Sequence, residues 1–225
     1  GEWWIGSGTS RRRHRDDGFL RGPAFGALAL LVVQVLLGAV TVKLGTAAPA
    51  VVIHLTTAML FLSLLVVCAL RAGERLRGGD GKFVPGRGPT AALLATGFAL
   101  VVILFGAFVA NYDAGLQCLG FPLCGGTLTL PELPLARLQW VHRVLAFLFL
   151  GHCLGVAMGA RRFTGEGGAA FRRAAWWLFG LAALQILVGA TMILELLPTA
   201  LRAAHLFVGS LVWVSAVVLS FRGQA

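Results

Sequence analysis

Charged side chains are scarce in this sequence. They make up 12% of its 225 residues, about half of the roughly 25% usual in soluble domains. Hydrophobic residues reach 58% and mean hydropathy is +0.85. An ordinary soluble domain is excluded, and no polar stretch is long enough to form one beside the apolar segments. A cleavable leader is not read at the start: residues 1–22 are polar and Arg-rich, with no apolar core directly behind a cleavage site. Acidic residues are scarcer than basic ones, 9 against 19, which leaves a net charge of +10. That excess does not point to nucleic acid, because the basic residues alternate with apolar segments instead of forming one patch. The stretch 73–88 holds glycine and arginine without the order of a phosphate-binding loop, and reads as a solvated linker.

Apolar runs of about 20 residues read as membrane spans. Six are present, at about 24–44, 50–70, 91–111, 138–160, 174–195 and 200–221. The fold class is therefore all-α: a polytopic membrane helical bundle whose six transmembrane helices form three repeated hairpins. Arg11, Arg12, Arg13, Arg15 and Arg21 precede the first span. Arg71, Arg75, Arg77, Lys82 and Arg87 follow the second, Arg161, Arg162, Arg172 and Arg173 follow the fourth, and Arg222 follows the last. The other connections hold chiefly Lys43, Arg137 and Arg202. Basic residues mark cytoplasmic loops, so the expected placement is a multi-pass protein of the cell inner membrane with both termini cytoplasmic. His14 lies in the Arg-rich tail and reads as solvated. Trp176 and Trp177 stand at the inner start of the fifth span, as interfacial aromatics commonly do.

The repeat is the strongest signal. Gln34, Gly38, Ala39 and His54 recur as Gln185, Gly189, Ala190 and His205, with 16 residues between glycine and histidine in both copies. A looser copy has Gly106, Ala107 and His142, 36 residues apart because a loop with Cys118 and Cys124 is inserted. Internal repetition of this kind constrains architecture strongly. The organisation expected is a cytoplasmic tail over 1–22, a first hairpin and inner loop over 23–90, and a four-helix half over 91–225.

Each repeated histidine sits four to six residues inside the outer end of an even-numbered span, roughly 6–9 Å below the boundary. Ionisable residues in spans are costly and mark functional sites, although a single one is often a hydrogen-bonded core residue. Facing imidazoles between apolar helices suit haem iron. Zinc would need a closed set of four ligands, and no carboxylate or thiolate accompanies these histidines. His152 lies ten residues after His142, about 15 Å deeper, without a partner at that depth, and reads as a core histidine. Cys118 and Cys124 face an oxidising compartment on this topology. A disulfide suits that setting better than a metal, with two free thiols as the alternative. Cys68 and Cys153, inside spans, read as inert, and solvation accounts for Glu195 at a helix end.

The stretches Gln34 to Ala39 with His54-Leu55, Gly106-Ala107 with AGLQCLGFPLCGG, His142-Arg143, and Gln185 to Ala190 with His205-Leu206 resemble the haem A synthases. The resemblance covers about 24–221, and the cysteine loop followed by His-Arg is its most specific part. It implies an oxidoreductase of haem A biosynthesis that oxidises a methyl group of haem O to the formyl of haem A. It implies haem b as cofactor and haem O as substrate. Partners would be the lipid bilayer, the haem substrate, and haem O synthase or cytochrome oxidase assembly factors, with no nucleic acid. Family members have eight spans in two halves, each with one His-Arg and one His-Leu histidine. The order here, His-Leu, His-Arg, His-Leu, matches the last three of those four. The resemblance thus implies that 23–90 is the remnant of the N-terminal half and that 91–225 is the haem-binding half. His142 and His205 are then the axial pair of haem b, with Arg143 pairing a propionate, and His54 belongs to a second position. Gln139 stands where the family's catalytic glutamate would precede a histidine by three residues, so no catalytic residue is assigned. A haem-b electron-transfer or haem-handling protein is the alternative, and an assembly subunit with core histidines is a third reading.

The topology predicts that a cysteine introduced at Gly79 labels only from the cytoplasmic side. Labelling from the outer side of intact cells rules the topology out.

Overall fold

The computed structural model describes residues 18–76 and 90–223, without the side chains of 18, 19 and 166. His14, the tail arginines before Arg21, and the loop residues Arg77, Lys82 and Arg87 lie outside the described residues. Six helices long and apolar enough to cross a membrane are present among the described residues. They are α1 (Gly18–Lys43), α2 (Ala48–Leu76), α3 (Thr90–Asn111), α4 (Pro134–Gly159), α5 (Gly165–Leu194) and α6 (Thr199–Arg222), with a short 3-10 turn (Ala160–Arg162) after α4. No strand occurs among the described residues; an isolated bridge joins Cys124 and Thr127 in the outer loop.

All six expected spans are helices, but three ends run further than the apolar pattern, the first of them at α1, which begins at Gly18 where the span was expected from about 24. Helix α2 continues to Leu76 and α5 begins at Gly165, where loops were expected over 71–90 and 161–173. Hydropathy marks where a helix leaves the lipid; it does not mark where the helix stops. The projecting end of α2 is also held: Arg222 at the end of α6 pairs with Glu74 at 3.4 Å.

Each odd-numbered helix ends in the same way. The amide of Thr46 donates to the Thr41 carbonyl, that of Ala114 to Val109, and that of Leu197 to Met192. Each acceptor lies three residues after the repeat glycine. The residue before each donor is left-handed: Gly45 (φ 62°), Asp113 (φ 53°) and Leu196 (φ 57°). This is the backbone reversal of a Schellman-type helix end, which satisfies terminal carbonyls. After α1 and α5 it turns the chain directly into the next helix, and after α3 it leads into the cysteine loop; Pro49, Pro134 and Pro198 stand at or beside the starts of α2, α4 and α6.

Helices α3, α4, α5 and α6 form a closed ring in which each packs on the next and α6 returns to α3. Helix α2 lies outside this ring against α3 and α6, and α1 packs on α2. Small residues make the close approaches possible: Ala92, Ala95 and Ala99 of α3, Ala175 of α5 and Ala216 of α6 are buried, as are Leu178 and Leu219. Between α3 and α6, Thr96 Oγ1 lies 2.7 Å from Ser220 Oγ and donates to the Ala216 carbonyl, while Ser220 donates to the Ala92 carbonyl. The Trp213 indole N–H donates to the Met59 carbonyl and ties α6 to α2. Phe25, Leu28, Val35, Leu36 and Val42 of α1 are exposed, as a lipid-facing helix requires.

Leu196 is exposed and left-handed. A side chain there costs about 1 kcal/mol that glycine avoids. Leu196→Gly is therefore expected to raise the thermal unfolding midpoint of purified protein, and an unchanged or lower midpoint contradicts the account.

Candidate functional site

The three repeated histidines occupy equivalent seats. Each imidazole from an even-numbered helix rests on the repeat glycine of the helix before it. A Cβ built on Gly106 would stand 2.9 Å from His142 Cε1; on Gly189 it would stand 3.0 Å from His205 Cε1, and on Gly38, 3.4 Å from His54 Cε1. Any larger residue at Gly106 or Gly189 would displace the ring. The glycine–histidine spacing seen in the sequence is thus a steric pairing across each hairpin. In all three rings Nδ1 is buried without a hydrogen-bond partner. An unpaired polar atom in an apolar interior is costly, and it recurs here at one position in every repeat.

Helices α4 and α6 are diagonal members of the ring, so His142 and His205 approach from opposite sides of the bundle axis. His54 is on α2, outside the ring, and is not brought to that pair.

The repeat glutamines, whose purpose the sequence did not reveal, hold the histidine backbones. Gln34 donates to the His54 carbonyl at 3.1 Å, and Gln185 donates to the His205 carbonyl at 3.0 Å. Gln34 also lies 3.1 Å from His54 Nε2, and Thr57 donates to its Oε1 at 2.5 Å. An amide nitrogen only donates, so His54 Nε2 accepts and its lone pair is engaged. In the second hairpin the equivalent place is Val102, whose backbone interacts with the His142 ring. The three seats therefore share a glycine but differ in polar support.

Arg143 is buried, not a surface arginine reaching for water. Nη1 donates to the carbonyls of Gly120 at 2.8 Å and Leu123 at 3.1 Å, and Nη2 donates to Cys118. The guanidinium also stands over Phe121, 5.9 Å from the ring centroid. These contacts gather the loop closed by the Cys118–Cys124 disulfide, whose Cα atoms are 4.9 Å apart. Gly120, Gly125 and Gly126 take left-handed conformations in and beside this loop. The sequence placed Arg143 next to a ligand; the contact with the cysteine loop had no signal beyond the adjacency of the two motifs.

Gln139 is buried, donates to the Gly115 carbonyl at 3.3 Å, and leaves its Oε1 unpartnered. His152 stands apart from the pair and is half-buried: its Nε2–H donates to the Ala91 carbonyl at 3.0 Å, and its ring lies 6.3 Å from Phe98. Cys68 and Cys153 are free thiols.

Arg143→Gln removes donors from several carbonyls in the loop. Unsatisfied buried acceptors cost about 1–3 kcal/mol. The variant is expected to unfold at lower temperature and to lose protease resistance first within 112–133. Protection of that loop equal to the parent protein contradicts the assignment.

Over residues 7–217 the chain matches the family described as cytochrome oxidase assembly protein. It is 30% identical over 193 residues to a haem A synthase of Symbiobacterium thermophilum, covering 83% of this chain and 62% of that one. It is 29% identical over 181 residues to the haem A synthase of Azorhizobium caulinodans, covering 74% and 49%. A haem A synthase of a Ruegeria species is 30% identical over 129 residues, covering 52% and 33%. The chain thus spans between about a third and three-fifths of the length of these relatives. With the same repeated histidine stretches falling inside the matched residues, the chain belongs to the haem A synthase family of cytochrome oxidase assembly proteins.

Proposed function

We propose that this protein is a haem-binding membrane oxidoreductase that takes part in oxidising the methyl group of haem O to the formyl of haem A. The observation that carries the reading is the diagonal pair of His142 and His205. Each ring is seated on a glycine and half-buried, and the two stand on diagonal helices of an apolar four-helix ring. A haem at this place would be held by His142 and His205. The unpaired Nδ1 atoms fit it too, since a ligand or a small ring adjustment would be needed to engage them.

In this reading His142 and His205 hold haem b within 91–225. Bound haem supplies a redox-active iron. The protein's part is to orient and to shield. Gly106 and Gly189 leave room for the imidazoles, and Gln185 fixes the backbone of His205. Arg143 draws the disulfide loop against the outer end of α4 beside His142 and limits access of water. The same guanidinium is the candidate partner of a propionate, through hydrogens it does not give to the loop. His54 belongs to a second haem position, and Gln34 must release its Nε2 before that atom can ligate. The protein is placed in the inner membrane with cytoplasmic termini, and haem O synthase or cytochrome oxidase assembly factors are its expected partners.

One observation favours the runner-up, a haem-b electron-transfer or haem-handling protein. Glu74, Asp113, Glu132, Glu166 and Glu195 all lie at helix ends or in the outer loop, and the residue three before His142 is the amide Gln139. No carboxylate among the described residues accompanies the histidines as an acid or base.

Purified protein is expected to show one low-spin haem in the reduced-minus-oxidised spectrum. His142→Ala or His205→Ala should abolish most of it, His54→Ala should leave it largely intact, and His152→Ala should leave it unchanged. Full haem with an unaltered spectrum in both of the first two variants returns the histidines to a core role. Haem A formed from haem O in membranes separates oxidoreductase from electron-transfer protein: bound haem without conversion favours the latter.

A further inference from the structure

A cavity lies at the end of the bundle away from the histidine pair. Its volume is about 440 Å³, and it opens between the start of α3, the last turns of α4, the 3-10 turn and the start of α5. Pockets of roughly 300–1,000 Å³ suit small organic ligands. His152 lines it, ten residues from His142 on the same helix, or about 15 Å along the axis.

Four features describe the ligand. His152 gives its Nε2–H to the Ala91 carbonyl. A carbonyl only accepts, so in the neutral imidazole Nδ1 is left with a lone pair and can accept from a hydroxyl. Gly155 and Gly159 form one wall without side chains, and a Cβ on Gly155 would meet nothing within 4 Å. Phe163 and Phe171, edge to face at 5.3 Å between centroids, form an aromatic wall. Arg162 stands at the rim, its Nε–H fixed by the Gly159 carbonyl at 3.0 Å, with the rest of the guanidinium able to donate to an oxygen. A flat apolar ring with an oxygen at each end matches these walls and both polar groups. An acyl chain would fill the space but leave the His152 lone pair without a partner. A phosphate headgroup would find one lining arginine, Arg162, and would leave the aromatic wall unused.

We propose that this cavity binds the headgroup of a membrane quinol, one ring hydroxyl donating to His152 Nδ1 and the oxygen of the other accepting from Arg162. The binding claim stands on the cavity alone. Its use rests on the proposed function, because a haem-linked oxidation in the bilayer must exchange electrons with a carrier, and this carrier would sit on the helix that bears His142.

Decylubiquinol, kept reduced without oxygen and titrated into the purified chain in detergent, tests the proposal, read by quenching of tryptophan fluorescence and by calorimetry. Saturable binding is expected, weakened about tenfold in His152→Leu, the order expected for one lost hydrogen bond, and more in Gly155→Leu, which fills the slot. Haem content and thermal midpoint should match the parent protein in His152→Leu. If Gly155→Leu does not fold, His152→Leu alone decides. Absence of saturable binding, or parent-like binding in His152→Leu, overturns the proposal. So does equal displacement of the quinol by excess phosphatidylglycerol, which would mark an acyl-chain site. Loss of quinol binding with haem intact affects this inference only, whereas loss of the His142 and His205 assignment affects the proposed function and leaves the binding result standing.

Discussion

An imidazole can lie flat against a neighbouring helix only where that helix carries no Cβ. This steric condition, strict at Gly106 and Gly189 and relaxed at Gly38, organises the rest of the structure. It fixes how closely the two helices of each hairpin approach. It fixes the depth of each histidine, because the ring must meet its glycine. It also ties hairpin geometry to any chemistry at the rings. The alanine-rich faces of α3, α5 and α6 extend the same logic, allowing backbones to approach without a hydrophobic drive between helices in lipid.

Around that condition the polar groups divide into two kinds. Some are fully committed: Thr96 with Ser220, Trp213 with Met59, and Arg143 with the cysteine loop. These hold helices and loop in place, and in a low-dielectric interior each such bond is strong while it is made and costly when broken. Others are left over: the Nδ1 atoms of the three histidines and the Oε1 atoms of Gln139 and Gln185. The leftovers cluster in the outer half, at one level of the repeats. A membrane interior tolerates few unpaired polar atoms, and their grouping falls where the proposed function places the haem.

Much of this was legible in the sequence. Six apolar runs gave six helices because nothing else satisfies the backbone in lipid. The matched spacing of Gly38 with His54 and Gly189 with His205 pointed to equal depth before any contact was known. Other features were not legible. The glutamines of the repeat looked like part of a motif, but their bonds to the histidine carbonyls depend on how α1 faces α2 and how α5 faces α6. Arg143 read as a neighbour of a ligand, and its cage of carbonyls depends on a loop path that no periodicity describes. The diagonal placement of α4 and α6 was also hidden, since apolarity on all sides of a helix does not say which side meets which neighbour. The inner ends of α2 and α5 were missed because charged residues end an apolar run without ending a helix.

The turn that closes each odd-numbered helix bears on how such a chain arises. Glycine, aspartate and leucine occupy the same left-handed position, and the same amide-to-carbonyl bond survives over all three. If the hairpins descend from one duplicated unit, the backbone path has been kept while the residue best suited to it was lost in two copies. Drift at the third copy carries a standing conformational cost, which selection has tolerated because the path brings the next histidine to its glycine. Ancestry among repeats of this kind is then better traced by hydrogen-bond register than by residue identity. A duplicated hairpin whose letters have diverged beyond recognition would still declare itself by the bond from the eighth residue after its glycine back to the third.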